Sequence, residues 1–155
     1  MPQVWWETQT SEGRKVKTIY AEDVDYWKTG QRRSVSQWLD LAESQLVKHG
    51  AKDIMRATGT DAGHVTYLFA FVLNDQRFKM VWPVLPCRKK SDPNTESAKV
   101  QAATSLYHEI KNCVVIGNRY GKRTGFFSYQ MLPDGRTVRE LAAPELSGNI
   151  AGLLT

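Results

Sequence analysis

The side chains that could bind a ligand through charge are concentrated in one stretch of the sequence. Residues 77–123 hold ten Lys and Arg against three Asp and Glu, whereas the rest of the chain holds eleven against thirteen. This stretch therefore carries the whole of the net charge of +5. Clustered cations attract polyanions and speed their encounter. A solvated lysine-rich surface without a ligand would show the same composition, so both interpretations stay open at this point.

Phosphate binding needs cations and backbone amides at the start of a helix, and an aromatic ring can stack on an unpaired base. Tyr120 lies inside Arg-Tyr-Gly-Lys-Arg at 119–123, which predicts a flexible basic loop with a ring for stacking. Alternatively, Tyr120 is a surface tyrosine that packs over a neighbour. We predict that the basic side chains form one positive edge that binds nucleic acid. The predicted site consists of Arg77, Lys79, Arg88, Lys89, Lys90, Lys99, Arg119, Tyr120, Lys122 and Arg123.

Residues with catalytic or metal-binding chemistry are few. Glu22, Asp23 and Asp25 could hold Mg²⁺, but the pattern favours a solvated acidic turn. Cys87 stands beside a basic run that could lower its pKa, yet no general base is in view. The chain lacks a Walker loop, a Gly-x-Ser-x-Gly elbow and the paired ligands of a structural zinc site. We therefore expect no catalytic residue, metal or cofactor.

Length and composition predict one globular domain over residues 1–155. The longest apolar run, residues 65–73, is far shorter than a membrane span, and the first residues do not resemble a secretory signal. Two cysteines do not make a disulfide framework. We expect reduced thiols, a cytoplasmic location (the host cytoplasm if the gene is carried by a phage) and no membrane partner.

The elements that must position the basic residues begin with a predicted N-terminal hairpin over 1–22, whose arms are residues 4–10 and 15–21. A helix follows, with Ser34 and Gln37 as a capping box and Gly50 as its stop. Three strands are predicted at 53–58, 64–73 and 77–82, with turns at 59–63 and at Asn74-Asp75.

A second, longer helix is predicted from Asp92 to the region of 117–121, with Asp92 as its cap. Its apolar stripe consists of Ala98, Ala102, Leu106, Ile110, Cys113, Val114 and Gly117. The αβββα core thus covers residues 34–118. A strand over 126–132 and a short helix over 137–146 complete the C-terminal part, 124–146. The predicted fold class is α+β, an antiparallel sheet of three or more strands backed by a long helix, in the order ββ-α-βββ-α-β-α.

Residues 35 to about 141 resemble a family of small uncharacterised proteins encoded by phages and prophages. The shared pattern is Lys-His-Gly-Ala-Lys at 48–52, Pro-Val at 83–84, Glu-Ile-Lys at 109–111 and Leu-Pro-Asp-Gly-Arg-Thr at 132–137. That resemblance implies a phage origin and no settled activity.

The α-β-β-β-α order also resembles the double-stranded-RNA-binding domain. There Gly63-His64 would fall in the loop between strands, and Lys89, Lys90 and Lys99 near the second helix. The chain departs from that family because residues 91–97 interrupt the Lys-Lys-x-x-Ala-Lys start of the second helix. A sheet backed by a long helix is similar, in topology only, to the phage single-strand-annealing recombinases, which form rings on DNA.

These observations favour a nucleic-acid-binding protein, with single-stranded DNA binding or annealing in phage recombination or replication as the expected role. DNA is favoured over RNA, and a homo-oligomer is considered. The alternative is a non-enzymatic protein-interaction module, for the virion or against host defence, with Trp5, Trp6 and Trp27 as its interface. An enzyme with an unfamiliar site is the third and least favoured hypothesis.

Overall fold

The computed structural model describes residues 18–61 and 64–142. They form an α+β fold with a three-stranded antiparallel sheet in the order β1-β2-β3, which confirms the predicted fold class. The strands are β1 (Lys52–Asp61), β2 (His64–Leu73) and β3 (Gln76–Pro83). The α-helices are α1 (Val35–Lys48), α2 (Asp92–Tyr120), α3 (Lys122–Gly125) and α4 (Val138–Ala142). Short 3₁₀ helices span Ala21–Asp23, Thr29–Arg32 and Phe127–Tyr129.

Helix α1 begins with the predicted capping box. The backbone N–H of Gln37 donates to the Ser34 hydroxyl at 3.2 Å, and the Ser34 N–H donates to the Gln37 side chain at 2.8 Å. These two bonds satisfy donors that the first turn of a helix leaves without partners. The helix ends as predicted at Gly50, whose φ of +95° suits glycine.

The sheet is built around β2, the central strand, whose predicted bounds of 64–73 are confirmed. It joins β3 through Asn74 and Asp75, whose φ angles of 48° and 64° are those of a two-residue hairpin turn. Alternate β2 side chains are buried on one face, from Tyr67 to Leu73. That face is covered by the two long helices.

Helices α1 and α2 lie side by side on the sheet and run in the same direction. Trp38, near the start of α1, packs against Tyr107 of α2 with ring centroids 5.4 Å apart. His49, just after the end of α1, lies against Gly117 near the end of α2. In the middle of α2, the Ser105 hydroxyl accepts the indole N–H of Trp82 from β3 at 3.1 Å. The predicted α2 stripe is confirmed as a core face, with Val114 half-buried, and Trp38 is also buried.

Helix α2 begins at the predicted residue, but its cap is Ser91 and not Asp92. The Asn94 N–H donates to the Ser91 hydroxyl at 3.4 Å, and Asp92 and Pro93 fill the first turn. Ser91 has the extended backbone of a cap residue, with φ −97° and ψ 154°, and its hydroxyl accepts the N–H three residues on, so Asp92 becomes the first helical residue. At 1.5 Å per residue, the two ends of α2 lie about 40 Å apart.

The strand predicted over residues 126–132 is wrong. The chain instead forms α3 and a 3₁₀ helix, and only isolated bridges join Phe78 to Gln130 and Met131 to Thr137. The reason is tertiary packing: Phe126 is fully buried against Phe71 and Phe78, with ring centroids 5.3 and 6.2 Å away. Burial of Phe126 in the core therefore overrides the β-propensity of this segment.

Two further segments differ from the prediction. β1 runs to Asp61, so Gly59 belongs to the strand and not to a turn, because pairing with β2 continues to the end of both strands. Residues 18–20 are not a strand, and Ala21 begins a 3₁₀ helix anchored by its N–H to the Pro86 carbonyl at 2.8 Å. The remaining part of the predicted hairpin and of the helix over 137–146 lies outside the described residues.

The position of α3 depends on close contact with α2 at Gly125. A Cβ at this position would lie 2.3 Å from the Cys113 carbonyl oxygen and 2.7 Å from the Gly117 nitrogen. Both are backbone atoms of a packed helix, so they cannot move aside cheaply. The chain can therefore turn back against α2 only where a side chain is absent.

We predict that Gly125→Ala lowers the free energy of unfolding by about 1–3 kcal/mol, the usual cost of overpacking a core. Gly59→Ala is the matched control, because a Cβ there would have no atom within 4 Å. Urea titration followed by circular dichroism measures both variants. Equal stability of the two would show that α3 does not pack against α2 in this way.

Candidate nucleic-acid interface

The predicted basic residues do not form one edge. Lys99 lies in the second turn of α2 and Arg119 in the last, which places them about 30 Å apart along the helix axis. The prediction of a single positive edge is therefore wrong. The loop between β3 and α2 lies at the start of α2, and residues 119–123 lie at its end, so a helix of 29 residues holds the two groups apart. Two separate groups result, one at each end of α2.

The group near the start of α2 is largely neutralised by acidic residues. Arg88 pairs with Asp23 at 2.5 Å and lies 4.7 Å from the Tyr20 ring. The Glu22 carboxylate accepts the backbone N–H of Arg88 at 2.9 Å and that of Lys89 at 3.3 Å. These contacts anchor the segment before α1 to the loop after β3. They are a structural use of the charges that the sequence alone did not reveal.

The pKa values at this contact follow from the pairing. The hydrogen bond to Asp23 raises the pKa of Arg88, and the carboxylate charge acts in the same direction. Burial would raise the pKa of Glu22, but the backbone N–H groups of Arg88 and Lys89 lower it below its usual value. Lys99 lies 3.9 Å from Glu96 one turn earlier. Lys89 and Lys90 are exposed.

Lys79 is not available at any surface. Its side chain is buried, donates to the Gly135 carbonyl at 2.5 Å and lies 3.7 Å from the Glu140 carboxylate. Lys79 alternates along β3 with Phe78 and Met80, which are buried under the helices. The Lys79 side chain therefore lies on the sheet face turned away from α1 and α2. The turn at 133–135 and α4 then cover that face at Lys79, so its charge is used inside the fold. Its assignment as a surface contact for nucleic acid is wrong.

The second group lies at the end of the molecule where α1 and α2 both terminate. We name this surface the basic end. Its cations come from α1, β1, β3, α2 and α3, and they are Lys48, Lys52, Arg77, Arg119, Lys122 and Arg123.

Specific contacts bring these elements together. Lys52 stands opposite Val72 in the sheet, and Val72 stands opposite Arg77. The Arg123 side chain donates to Gln130 at 3.0 Å, and Gln130 donates to Gln76, the neighbour of Arg77, at 3.1 Å. Lys122 lies beside Gly50, because its Nζ would stand 2.7 Å from a Cβ there. The six cations are therefore at one end of the fold, on five different elements.

The basic end carries more positive charge than the nearby negative groups neutralise. Within residues 18–61 and 64–142, none of its six cations forms an ion pair. The terminal carbonyls of α1 and α2 contribute about half a negative charge each. The neighbouring acidic residues in the described part of the chain are Asp53, at the start of β1, and Asp75, in the turn before β3. Subtracting these leaves an excess of about three positive charges. Helix-end stabilisation alone accounts for Lys48 and Arg119, but not for the remainder.

Tyr120 projects from this surface. It is 66% exposed, and the Arg119 guanidinium lies 5.7 Å from its ring centroid. The flexible loop predicted over 119–123 is instead the end of α2 followed by α3, because Gly121 with φ +107° turns the chain directly into the next helical turn. Phe127, after α3, is a second exposed ring at 48%. Arg77, Arg119, Tyr120, Lys122 and Arg123 are thus the predicted residues that the fold brings together.

Sequence reasoning missed Lys48 and Lys52. Both lie in the part of the chain whose net charge is slightly negative, so counting by segments hid them. The signal that could have found them is the glycine between them: Gly50 ends α1, and the next strand must begin at the same end of the molecule. Trp27, considered as an interface residue, is half-buried against the core. Trp5 and Trp6 lie outside the described residues.

The other chemical candidates have structural roles. Burial raises the pKa of Cys87, and burial raises that of Cys113 to about 12, so neither thiol is activated. Asp23 and Glu22 are engaged with Arg88, as described above. Across residues 18–61 and 64–142, no three His, Cys, Asp or Glu side chains gather closely enough to hold a metal ion. In the same part of the chain, every helix is too short or too polar to span a lipid bilayer.

A scan against protein-family models and searches of the curated proteins and of the solved structures found no match for this chain. The resemblances to a phage protein family, to double-stranded-RNA-binding domains and to annealing recombinases therefore stay predictions. The assignment of a ligand to the basic end rests on its geometry and charge alone.

His49 is a buried, titratable side chain close to Lys122 of the basic end, so it makes the stability of the fold depend on pH. Its ring is 5% exposed, packs 5.9 Å from the Phe126 centroid, and its Nε2 has no hydrogen-bond partner. Burial lowers the pKa of His49, and the charge of Lys122 lowers it further. The folded state therefore binds this proton less well than the unfolded state, whose histidine titrates near pH 6.5.

We predict that the free energy of unfolding falls as the pH is lowered from about 7.5 to about 5.5. In this range the histidine of the unfolded chain becomes protonated, whereas the buried His49 ring of the folded chain stays neutral to lower pH. His49→Asn should reduce this pH-dependent loss, even though the variant is less stable at neutral pH. Thermal unfolding at both pH values measures the two differences. An identical loss in the variant would assign the acid sensitivity to other groups, among them His108, whose pKa is also lowered by burial.

Proposed function

We propose that this protein binds single-stranded nucleic acid through the basic end. The observation that carries the proposal is a set of six cations that form no ion pair within residues 18–61 and 64–142, at the end of the molecule where Tyr120 is 66% exposed. Cations that a fold does not neutralise are the elements that a phosphate backbone contacts. The predicted contacts at Lys79, Arg88, Lys89, Lys90 and Lys99 are not part of this surface.

The arrangement supports sequence-independent contact. Five of the six cations are exposed, and these five lie on different elements, so their spacing is irregular and suits a flexible backbone better than the regular backbone of a duplex. Tyr120 offers a ring face that any unpaired base can stack on, and Arg119 beside it adds a cation to the same contact. Binding of this kind weakens steeply with salt, because each phosphate contact releases counterions.

We further propose DNA as the partner, in annealing during phage recombination or replication. This part of the proposal is supported by the resemblances of sequence and topology and not by the basic end, whose chemistry suits RNA equally. Self-association, which annealing proteins use, stays a prediction.

A protein-interaction module is the second candidate, and the sheet supplies its observation. The face turned away from α1 and α2 carries Met55, which is 53% exposed, opposite Ala70. Ala57 and Leu68 continue the same apolar row. Exposed apolar patches on a sheet are typical of protein interfaces. Light scattering of the purified protein, with Met55→Lys as the variant, would show whether this face associates.

We predict that Arg77→Ala/Arg119→Ala weakens binding of a fluorescently labelled oligo-dT and makes its salt dependence shallower by about 0.7 in log–log slope per lost contact. Lys89→Ala/Lys90→Ala is the control with the same loss of charge at the other end of α2, and it should bind as wild type does. Polarisation titrations at several salt concentrations measure both. Equal weakening by the two double variants would show that only the net charge matters.

The ring of Tyr120 provides a separate test. Tyr120→Ala should weaken oligo-dT binding by about 1–3 kcal/mol, the range for one stacked base, while leaving the salt slope unchanged. Tyr120→Phe keeps the ring face and should bind as wild type does. The same titration against a matched duplex should show no effect of either variant. If Tyr120→Ala binds oligo-dT normally, the tyrosine is a surface residue and not a stacking platform.

A further inference from the structure

A cleft lies along the outer edge of β3, beyond the bridge between Phe78 and Gln130. It encloses about 300 Å³, within the size range of small-ligand sites. One wall is apolar and partly aromatic, formed by Val81, Trp82, Pro83 and Leu85. The opposite wall is polar and includes Arg139 and Glu140 of α4. An apolar wall facing a few polar groups is the usual composition of a specific binding pocket.

Glu140 is the unusual group in this cleft. It is 2% exposed, and one carboxylate oxygen, Oε1, lies 3.7 Å from the Lys79 Nζ. The other oxygen, Oε2, is buried and has no hydrogen-bond partner. A buried carboxylate oxygen without a donor is costly, and folds rarely leave one in place. A ligand that brings N–H donors to this carboxylate would supply the missing partner.

The polar wall also offers donors of its own. The Arg139 guanidinium donates to the Tyr129 hydroxyl at 3.3 Å and is exposed, so its other N–H groups can reach a ligand. Tyr129 in turn donates its hydroxyl hydrogen to Glu109. The cleft thus combines a carboxylate that lacks a donor with a guanidinium that can still donate. Apolar and aromatic residues line the same cleft.

We propose that this cleft is a base pocket that takes one guanine of a bound single strand. Guanine presents two adjacent N–H donors, at N1 and N2, that suit one carboxylate, and acceptors at O6 and N7 that suit an arginine. Its flat ring suits the wall at Trp82 and Pro83. Adenine, cytosine and thymine each lack the adjacent pair of donors. This inference rests on the proposed function in one respect: the basic end is expected to bring the single-stranded nucleic acid to the cleft.

The cleft is next to the basic end along the chain. Gln130 accepts the Arg123 side chain at the basic end, and the preceding residue, Tyr129, lines the cleft. A strand held by Arg123 can therefore place a nearby base at Glu140 without leaving the surface. This pocket would add a base preference to contacts that are otherwise independent of sequence.

The direct test is calorimetric titration of the full chain with guanosine, a probe without phosphates that does not need the basic end. Guanosine should bind the wild type at least about tenfold more tightly than adenosine, cytidine or thymidine, the discrimination expected of a bidentate contact. Glu140→Gln and Arg139→Ala should each weaken guanosine binding by about tenfold or more. Arg139→Ala is included because its exposed side chain can be removed without disturbing the buried pair with Lys79.

The outcomes separate the pocket from the proposed function. If guanosine fails to bind the wild type, or binds both variants as tightly as it binds the wild type, the proposed pocket is overturned, whatever the result with oligo-dT. If guanosine binds with the expected preference while Arg77→Ala/Arg119→Ala leaves oligo-dT binding intact, the pocket stands and the basic end does not. Circular dichroism of Glu140→Gln confirms that its loss of binding is not a loss of folding.

Discussion

The packing of the chain against the last turns of α2 is the constraint on which this structure depends. Gly125 touches the backbone of α2, and this contact delivers Phe126 into the core against Phe71 and Phe78. Once Phe126 is fixed there, Lys122 and Arg123 must lie beside the ends of α1 and β3. The position of Lys122 and Arg123 at the basic end is therefore a consequence of the same contact that closes the hydrophobic core.

Charge in this fold is divided between structure and surface. Arg88, Lys79 and Arg56 have partners on other elements: Asp23, Glu140 and Asp40. The pairs of Arg88 and Arg56 are partly exposed and contribute little to stability, whereas the pair of Lys79 and Glu140 is buried. All three pairs decide which cations remain available to a ligand. The basic end differs because its cations come from five elements, and the neighbouring carboxylates in the described part of the chain are those of Asp53 and Asp75. That imbalance, and not the composition of any one segment, supports nucleic-acid binding.

Local signals in the sequence predicted most of the elements correctly. The capping box of Ser34 and Gln37, the turn at Asn74-Asp75 and the stripe of α2 are short-range patterns with one physical reading. The strand over 126–132 was predicted from β-propensity and was wrong, because burial of Phe126 overrides propensity. About half of the basic end was predicted. Residues 119–123 and Arg77 lie at the same end of the fold, as expected, but Lys48 and Lys52 reach that end only through the tertiary packing of α1 and β1. The ion pairs of Arg88 and Lys79 bridge residues more than fifty positions apart, which no periodicity can show.

The central claim is that an unpaired strand contacts the end of the molecule where α1 and α2 terminate. The most direct measurement is a nuclear magnetic resonance titration of isotopically labelled protein with a short oligo-dT, following the backbone amides. The account predicts that the largest shifts cluster at residues 48–52, 72–77 and 119–123, and that they diminish with added salt. Shifts confined to residues 88–99 or to the sheet face around Met55, or no shifts at low salt, would contradict it.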